Sequence, residues 1–139
     1  MARTSKLDDA PQTPKVLRSL RLEWFDGRLE RRLSKPLGLT QFGVNHVTLE
    51  PGAATSLRHW HEAEDEFVYV LAGEASVVDD DGVHTLTAGS FAAFPAAEAN
   101  GHHVRNLSAA PVELLVVGSR RPGEETIHYP DDPIGPISK

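Results

Sequence analysis

The run "EFVYVLAGEASVVDDDGVHTLTAGSFAAF", residues 66–94, does most to limit what this chain can fold into. β-branched and aromatic residues come in stretches of a few positions, and Gly73, the "DDDG" of 79–82 and Gly89 break them at close intervals. Such punctuation suits short strands joined by tight turns and is too frequent for helices of ordinary length. The same texture continues elsewhere. "LTQFGVNHVTLEPG" (39–52) ends in a Pro-Gly turn, "SLRHWH" alternates with period two, and "HHVRN" and "PVELLVVGSR" follow later. About eight to ten short strands are expected, arranged as an all-β, single-domain antiparallel sandwich or barrel.

Two segments read differently. Residues 1–15 are polar, with Pro11 and Pro14, and are expected to form a flexible or draped arm; residues 16–139 form the β domain, including a tail strand near "EETIHYPDDPIGP". The stretch "VLRSLRLEWFDGRLERRL" (16–33) has apolar spacing that a short helix could use. The Asp26-Gly27 turn signal favours two short strands instead.

At 139 residues one core is the expectation. The net charge of −6, with no long basic stripe, argues against a nucleic-acid partner. No apolar run approaches the length of a membrane span, and the N-terminus has no apolar core of a secretory signal, so a cytoplasmic protein with no membrane partner is expected. The absence of cysteine excludes disulfides, thiolate nucleophiles and thiolate-held metals. Any metal here must be bound by imidazole and oxygen.

Strand alternation places His59 and His61 on one face, with Trp60 on the other. A chain reversal through "EAED" would bring Glu66 beside that pair, on the same strand face as Val68 and Val70. Two histidines and a carboxylate make a donor set typical of non-haem Fe(II) sites. Downstream, Val104 seeks the interior and carries His102 inward with it, so His103 should point outwards or into an interface. His46 is undecided, because Phe42 and Val44 conflict in parity with Val47 and Leu49. Asn106 is expected to hold a turn, Phe67 and Tyr69 to make packing or dimer contacts, and His84 to be exposed. His128-Tyr129 is placed in a strand that closes the fold or swaps across a dimer, in preference to a pocket lid.

These residues carry a resemblance. Gly52, His59, His61, Glu66 and Gly73 are similar to the first motif of the cupin superfamily; the gap from Gly52 to His59 is six residues, one more than usual. "GSFAAFPAAEANGHHVRN" resembles the second motif through Gly89, Pro95, His102 and Asn106. Ala97 stands where a glycine is usual, and the stretch from Pro95 to His102 is two residues longer. More narrowly, "RHWHEAEDEFVYVLAGE" and "FPAAEANGHH" look like small single-domain bacterial cupins of unassigned activity. The resemblance implies a conical antiparallel β-barrel (a double-stranded β-helix, jelly-roll-like), commonly a homodimer. It also implies one divalent transition metal ion (Fe, Mn, Ni, Zn or Co) held by His59, His61, Glu66 and His102. Such a centre fits a metal-dependent dioxygenase, isomerase or lyase acting on a small oxygen-rich or carboxylate molecule. The alternative is a non-catalytic module whose metal anchors a small ligand. No second catalytic group stands out in the sequence.

Overall fold

The computed structural model describes residues 1–13 and 22–139. Among these, helical structure is limited to three single-turn 3-10 segments, Leu7–Asp9, Leu22–Trp24 and Lys35–Leu37. The rest is built from eleven strands: β1 (Arg28–Arg32), β2 (Phe42–Leu49), β3 (Trp60–His61), β4 (Glu66–Ala72), β5 (Glu74–Asp79), β6 (Gly82–Thr87), β7 (Phe91–Phe94), β8 (His103–Arg105), β9 (Val112–Ser119), β10 (Thr126–His128) and β11 (Ile137–Ser138). All pairings are antiparallel. The all-β expectation holds, and the additional strands are two- or three-residue pieces near the tail and the histidine pair.

The strands form a five-stranded sheet, β1-β2-β9-β4-β7, and two three-stranded sheets, β6-β5-β8 and β11-β10-β3. The turn residues act as their chemistry suggests. Gly73 has φ 82°, and a Cβ there would run into the Pro111 carbonyl, so only glycine links β4 to β5 at this spacing. The acidic tip closes the β5–β6 hairpin with Asp79 opposite Gly82. Ala97 adopts φ 68° and donates its N–H to the His61 carbonyl, which is the physical reason glycine suits this position.

The core joins two sheets. Val47 and Leu49 of β2, Val68 and Val70 of β4, and Val112 and Leu114 of β9 pack against Ala75 and Val77 of β5 and Val104 of β8. Three strands of the large sheet, β2, β4 and β9, change character along their length on this inner face. β2 runs from Gly43 and Asn45 to Val47 and Leu49, β4 from Glu66 to Val68 and Val70, and β9 from Leu114 to Val116 and Gly118. One end is therefore filled with apolar side chains and the other is left open for chemistry.

Asp26-Gly27 is a turn leading into β1, and β1 is the second strand expected from 16–33. The first half of that segment lies in part outside the described residues, and its remainder, Leu22–Trp24, is a 3-10 turn. Residues of the amino-terminal segment run beside β1. Gln12 bridges Arg31, Thr13 donates its N–H to the Glu30 carbonyl, and Arg31 donates to the Ala10 carbonyl at 2.8 Å. No helix among the described residues is long and apolar enough to cross a membrane.

Candidate metal centre

His59 and His102 face each other in a two-way backbone bridge, N–H to carbonyl at 3.1 and 2.9 Å. His61 follows on β3, and Glu66 opens β4 after the intervening turn. The structure thus brings all four predicted side chains to the open end. Glu66 Oε2 lies 3.0 Å from His61 Nε2, 3.4 Å from His59 Nε2 and 3.6 Å from His102 Nε2. The donor atoms of His59, His61 and Glu66 all lie within 4.8 Å of one another.

Each imidazole is fixed from behind. His59 Nδ1 donates to the Leu57 carbonyl at 2.8 Å, His102 Nδ1 to the Asn100 carbonyl at 3.0 Å, and His61 Nδ1 to Glu125 Oε2 at 2.9 Å. These acceptors can only accept, so in each neutral ring Nδ1 carries the proton and Nε2 presents a lone pair to the centre. Phe94 stacks on His102 at 3.7 Å with rings 4° from parallel, setting the ring plane. His102 Nε2 is buried and has no hydrogen-bond partner. The His59 and His61 rings and the Glu66 carboxylate stand close enough to share one divalent ion, and His102 Nε2, 3.6 Å from the same Glu66 oxygen, stands just outside that group.

The electrostatics follow this crowding. Burial alone would raise the Glu66 pKa, but hydrogen bonds and charge from the His102, His59 and His61 rings, when Nε2 carries the proton that a metal ion would displace, outweigh it and hold the carboxyl well below its usual range. Burial alone would lower the His61 pKa, yet the Glu66 and Glu125 carboxylates raise it. Behind His61, burial raises the Glu64 pKa. Glu125 is held down, against its own burial, by a hydrogen bond from Glu64, the Ala63 N–H and His61.

His103, the neighbour of His102, faces away from the centre but not outwards as expected: it is buried within the chain, because Trp24 and the Ser56 carbonyl cover its face of the strand. Its Nδ1 donates to the Ser56 carbonyl at 2.7 Å and its ring meets Trp24 edge-on at 5.1 Å. Burial lowers its pKa to about 4. His46 also turns from the centre, since Asn45 and Val47 occupy the inner face, and its Nε2 lies 3.2 Å from Glu113. Trp60 stacks on His128 at 4.2 Å, away from the histidine pair. His84 is exposed and paired with Asp79. Asn106 is fully buried; its amide donates to the Leu49 and Ala110 carbonyls, and its oxygen accepts from Ser108.

The centre opens into a cavity of about 510 Å³, within the usual range for small-ligand sites. Three groups that sequence reasoning missed line it. Arg28 and Glu30 form an ion pair on the inner face of β1, and Arg28 Nε donates to the Thr55 carbonyl at 2.7 Å. Tyr129, just after β10, comes within 6.1 Å of the His59 ring, and burial raises its pKa. The guanidinium of Arg120 lies over Gly43 and Gly118 at the same cavity. Charged side chains on a short strand are ordinarily assigned to solvent, so β1 carried no signal for Arg28 and Glu30. The His-Tyr pair in the tail was the one available pointer to Tyr129.

Comparison with known proteins agrees with this geometry. The family model "Cupin domain" matches residues 45–118. The fold superposes on a sugar phosphate isomerase from a cupin superfamily, from Silicibacter pomeroyi, with TM-score 0.86 and 46% identity, covering 94% of this chain and 83% of that one. A Thermus thermophilus protein, TT1209, superposes with TM-score 0.55 and 34% identity over 67% of this chain and 85% of its own. The alginate biosynthesis protein AlgA of Pseudomonas putida is 33% identical over 99 residues, 70% of this chain. This chain spans only about a fifth of the length of that relative. From the motifs, the strand order and these matches, the chain belongs to the cupin family.

Proposed function

We propose that His59, His61, Glu66 and His102 hold one divalent transition metal ion, and that the chain is an enzyme isomerising a small, oxygen-rich, phosphorylated substrate in the adjoining cavity. The observation that carries the metal reading is the buried Nε2 of His102, which makes no hydrogen bond and lies 3.6 Å from the Glu66 oxygen that His59 and His61 also face. When bound, such an ion supplies Lewis-acid polarisation of a carbonyl. Three neutral imidazoles and one carboxylate would leave its net charge near +1.

Isomerisation is favoured over oxygenation or elimination by the cavity groups and by likeness to the Silicibacter pomeroyi isomerase. Moving a proton between neighbouring carbons needs no co-reactant, only a base, a donor and a means of orienting the substrate. Glu30 faces the cavity as a carboxylate paired with Arg28, suited to take up a proton. The half-buried Tyr129 phenol, its pKa raised by that burial, keeps its proton and is suited to give one. Arg120 and Arg28 supply positive charge on the cavity wall for an anionic substrate group.

We also infer that a second copy of the chain covers the outer face of the large sheet. There Phe91 stacks on Phe67 at 5.6 Å and on Tyr69 at 6.4 Å, and Phe91, Leu71 and Phe42 are exposed.

The test is elemental analysis of protein purified without added metal, followed by assays of the metal-loaded chain with a panel of aldose and ketose phosphates. One equivalent of metal is expected, with turnover that Glu30→Gln abolishes while retaining the metal. Binding of sugar phosphates without turnover would leave a non-catalytic ligand module instead.

A further inference from the structure

Glu125 is the most completely buried ionisable side chain near the centre, 1% exposed, yet it touches no cavity surface. An ionised carboxylate in that position is costly unless its oxygens are satisfied. Here Oε1 accepts the Ala63 N–H at 3.1 Å and Oε2 accepts His61 Nδ1–H at 2.9 Å. Glu64, itself buried, packs beside Glu125 and His61 and accepts the Arg121 N–H at 2.9 Å. The residue reaches this place only because the tail pairs with the histidine strand. Ile127 and His128 lie opposite His61 and Trp60, Glu62 donates its N–H to the Thr126 carbonyl, and Lys139 donates its N–H to the Glu125 carbonyl.

His61 differs in this from its two neighbours. His59 and His102 are oriented by neutral backbone carbonyls from within two residues of themselves. His61 is oriented by a full negative charge 64 residues further along the chain. A carboxylate behind an imidazole fixes the Nδ1–H tautomer, locks the ring and makes Nε2 a stronger donor.

We propose that Glu125 is the positioning residue of the metal centre, acting through His61, so that the carboxy-terminal strand is a working part of the site. The claim rests on the metal reading above and concerns affinity and ring state, not turnover. In glutamine one of the two oxygen positions that meet Ala63 N–H and His61 Nδ1–H becomes an NH2, which cannot accept, so the substitution strikes this interaction without changing side-chain size.

The test measures Co²⁺ affinity by chelator competition for wild type and Glu125→Gln. In parallel, nitrogen-15 NMR of the histidine rings is recorded in metal-free and Zn²⁺-loaded wild type. Expected are a 10–100-fold weaker Co²⁺ affinity in the variant, by analogy with other outer partners of metal ligands, and a His61 ring that carries its proton on Nδ1 and binds Zn²⁺ through Nε2. The ring spectrum comes from wild type, so it stands even if the variant does not fold. Unchanged Co²⁺ affinity in folded Glu125→Gln, or a His61 ring bound through Nδ1, would overturn the inference and leave the metal centre standing. Two equivalents of metal, with the second on Glu64 and Glu125, would also overturn it. A wild type that takes up no Co²⁺ would overturn this inference together with the metal reading.

Discussion

The two ends of the large sheet are built from the same strands and obey opposite rules. At the closed end, Leu49, Val70, Val112 and Leu114 are fully buried and pack into the apolar cluster. At the open end, one or two strand steps away, the inner face carries Asn45, Glu66 and Gly118, with His59 and His61 leaning in. Burial there leaves polar atoms crowded together and one of them unpartnered. The closed end contributes stability through area removed from water. The open end spends part of that stability holding lone pairs and charges where a cation and a substrate can use them.

This contrast can be broken at either end. The largest stability effect is expected at the closed end. Leu114→Ala removes a side chain with no exposed area and should cost about 2–5 kcal/mol in denaturant unfolding. Metal uptake per folded molecule should stay at the wild-type value; a fall in stoichiometry would mean the two ends are not separable.

The next effect belongs to the layer just behind the site. Burial lowers the His103 pKa to about 4, below its ordinary 6.5 in the unfolded chain. Between these values the unfolded chain binds the extra proton, so stability is full above about pH 6.5 and falls as pH drops towards 4. The loss should reach about 3 kcal/mol. His103→Gln should flatten the pH profile of unfolding across that window; an unchanged slope would assign the dependence elsewhere.

The proposed dimer face is tested by Phe91→Asp. This change should yield monomers by light scattering at micromolar concentration while leaving metal content untouched. Wild type that is already monomeric would remove the second copy from the account. The smallest effect is at Ala97, where φ 68° strains any side-chain-bearing residue. Ala97→Gly should raise stability by about 1 kcal/mol, read as a shift in the denaturation midpoint. A destabilised variant would show that the Ala97 turn carries no strain.

Much of this contrast could be read in the sequence, for a definite reason. Strand alternation is informative where one face is apolar, so Val104 was enough to separate His102 from His103, and the run from Glu66 to Val70 placed the carboxylate. The same logic failed on β2. There Phe42 and Val44 sit on an outer face that is itself apolar, and the period-two pattern loses its polarity. Hence His46 had no assigned face until the pairing with Glu113 fixed it.

Arg28 and Glu30 were invisible because a polar cavity inverts the rule that charges face water. Glu125 was invisible because its tail has no alternation of its own and acquires meaning only by pairing with β3. The four-residue donor set was legible and its supports were not, since the supports depend on contacts between distant segments.

The central claim is that the open end exists to hold a metal ion, and the most direct measurement is the metal-to-protein ratio of His102→Ala beside wild type, both saturated with Co²⁺ and freed of excess. One equivalent is expected in wild type and a large loss in folded His102→Ala, with near-wild-type unfolding free energy in the metal-free state. Equal metal in the two proteins, or none in either, would contradict the claim.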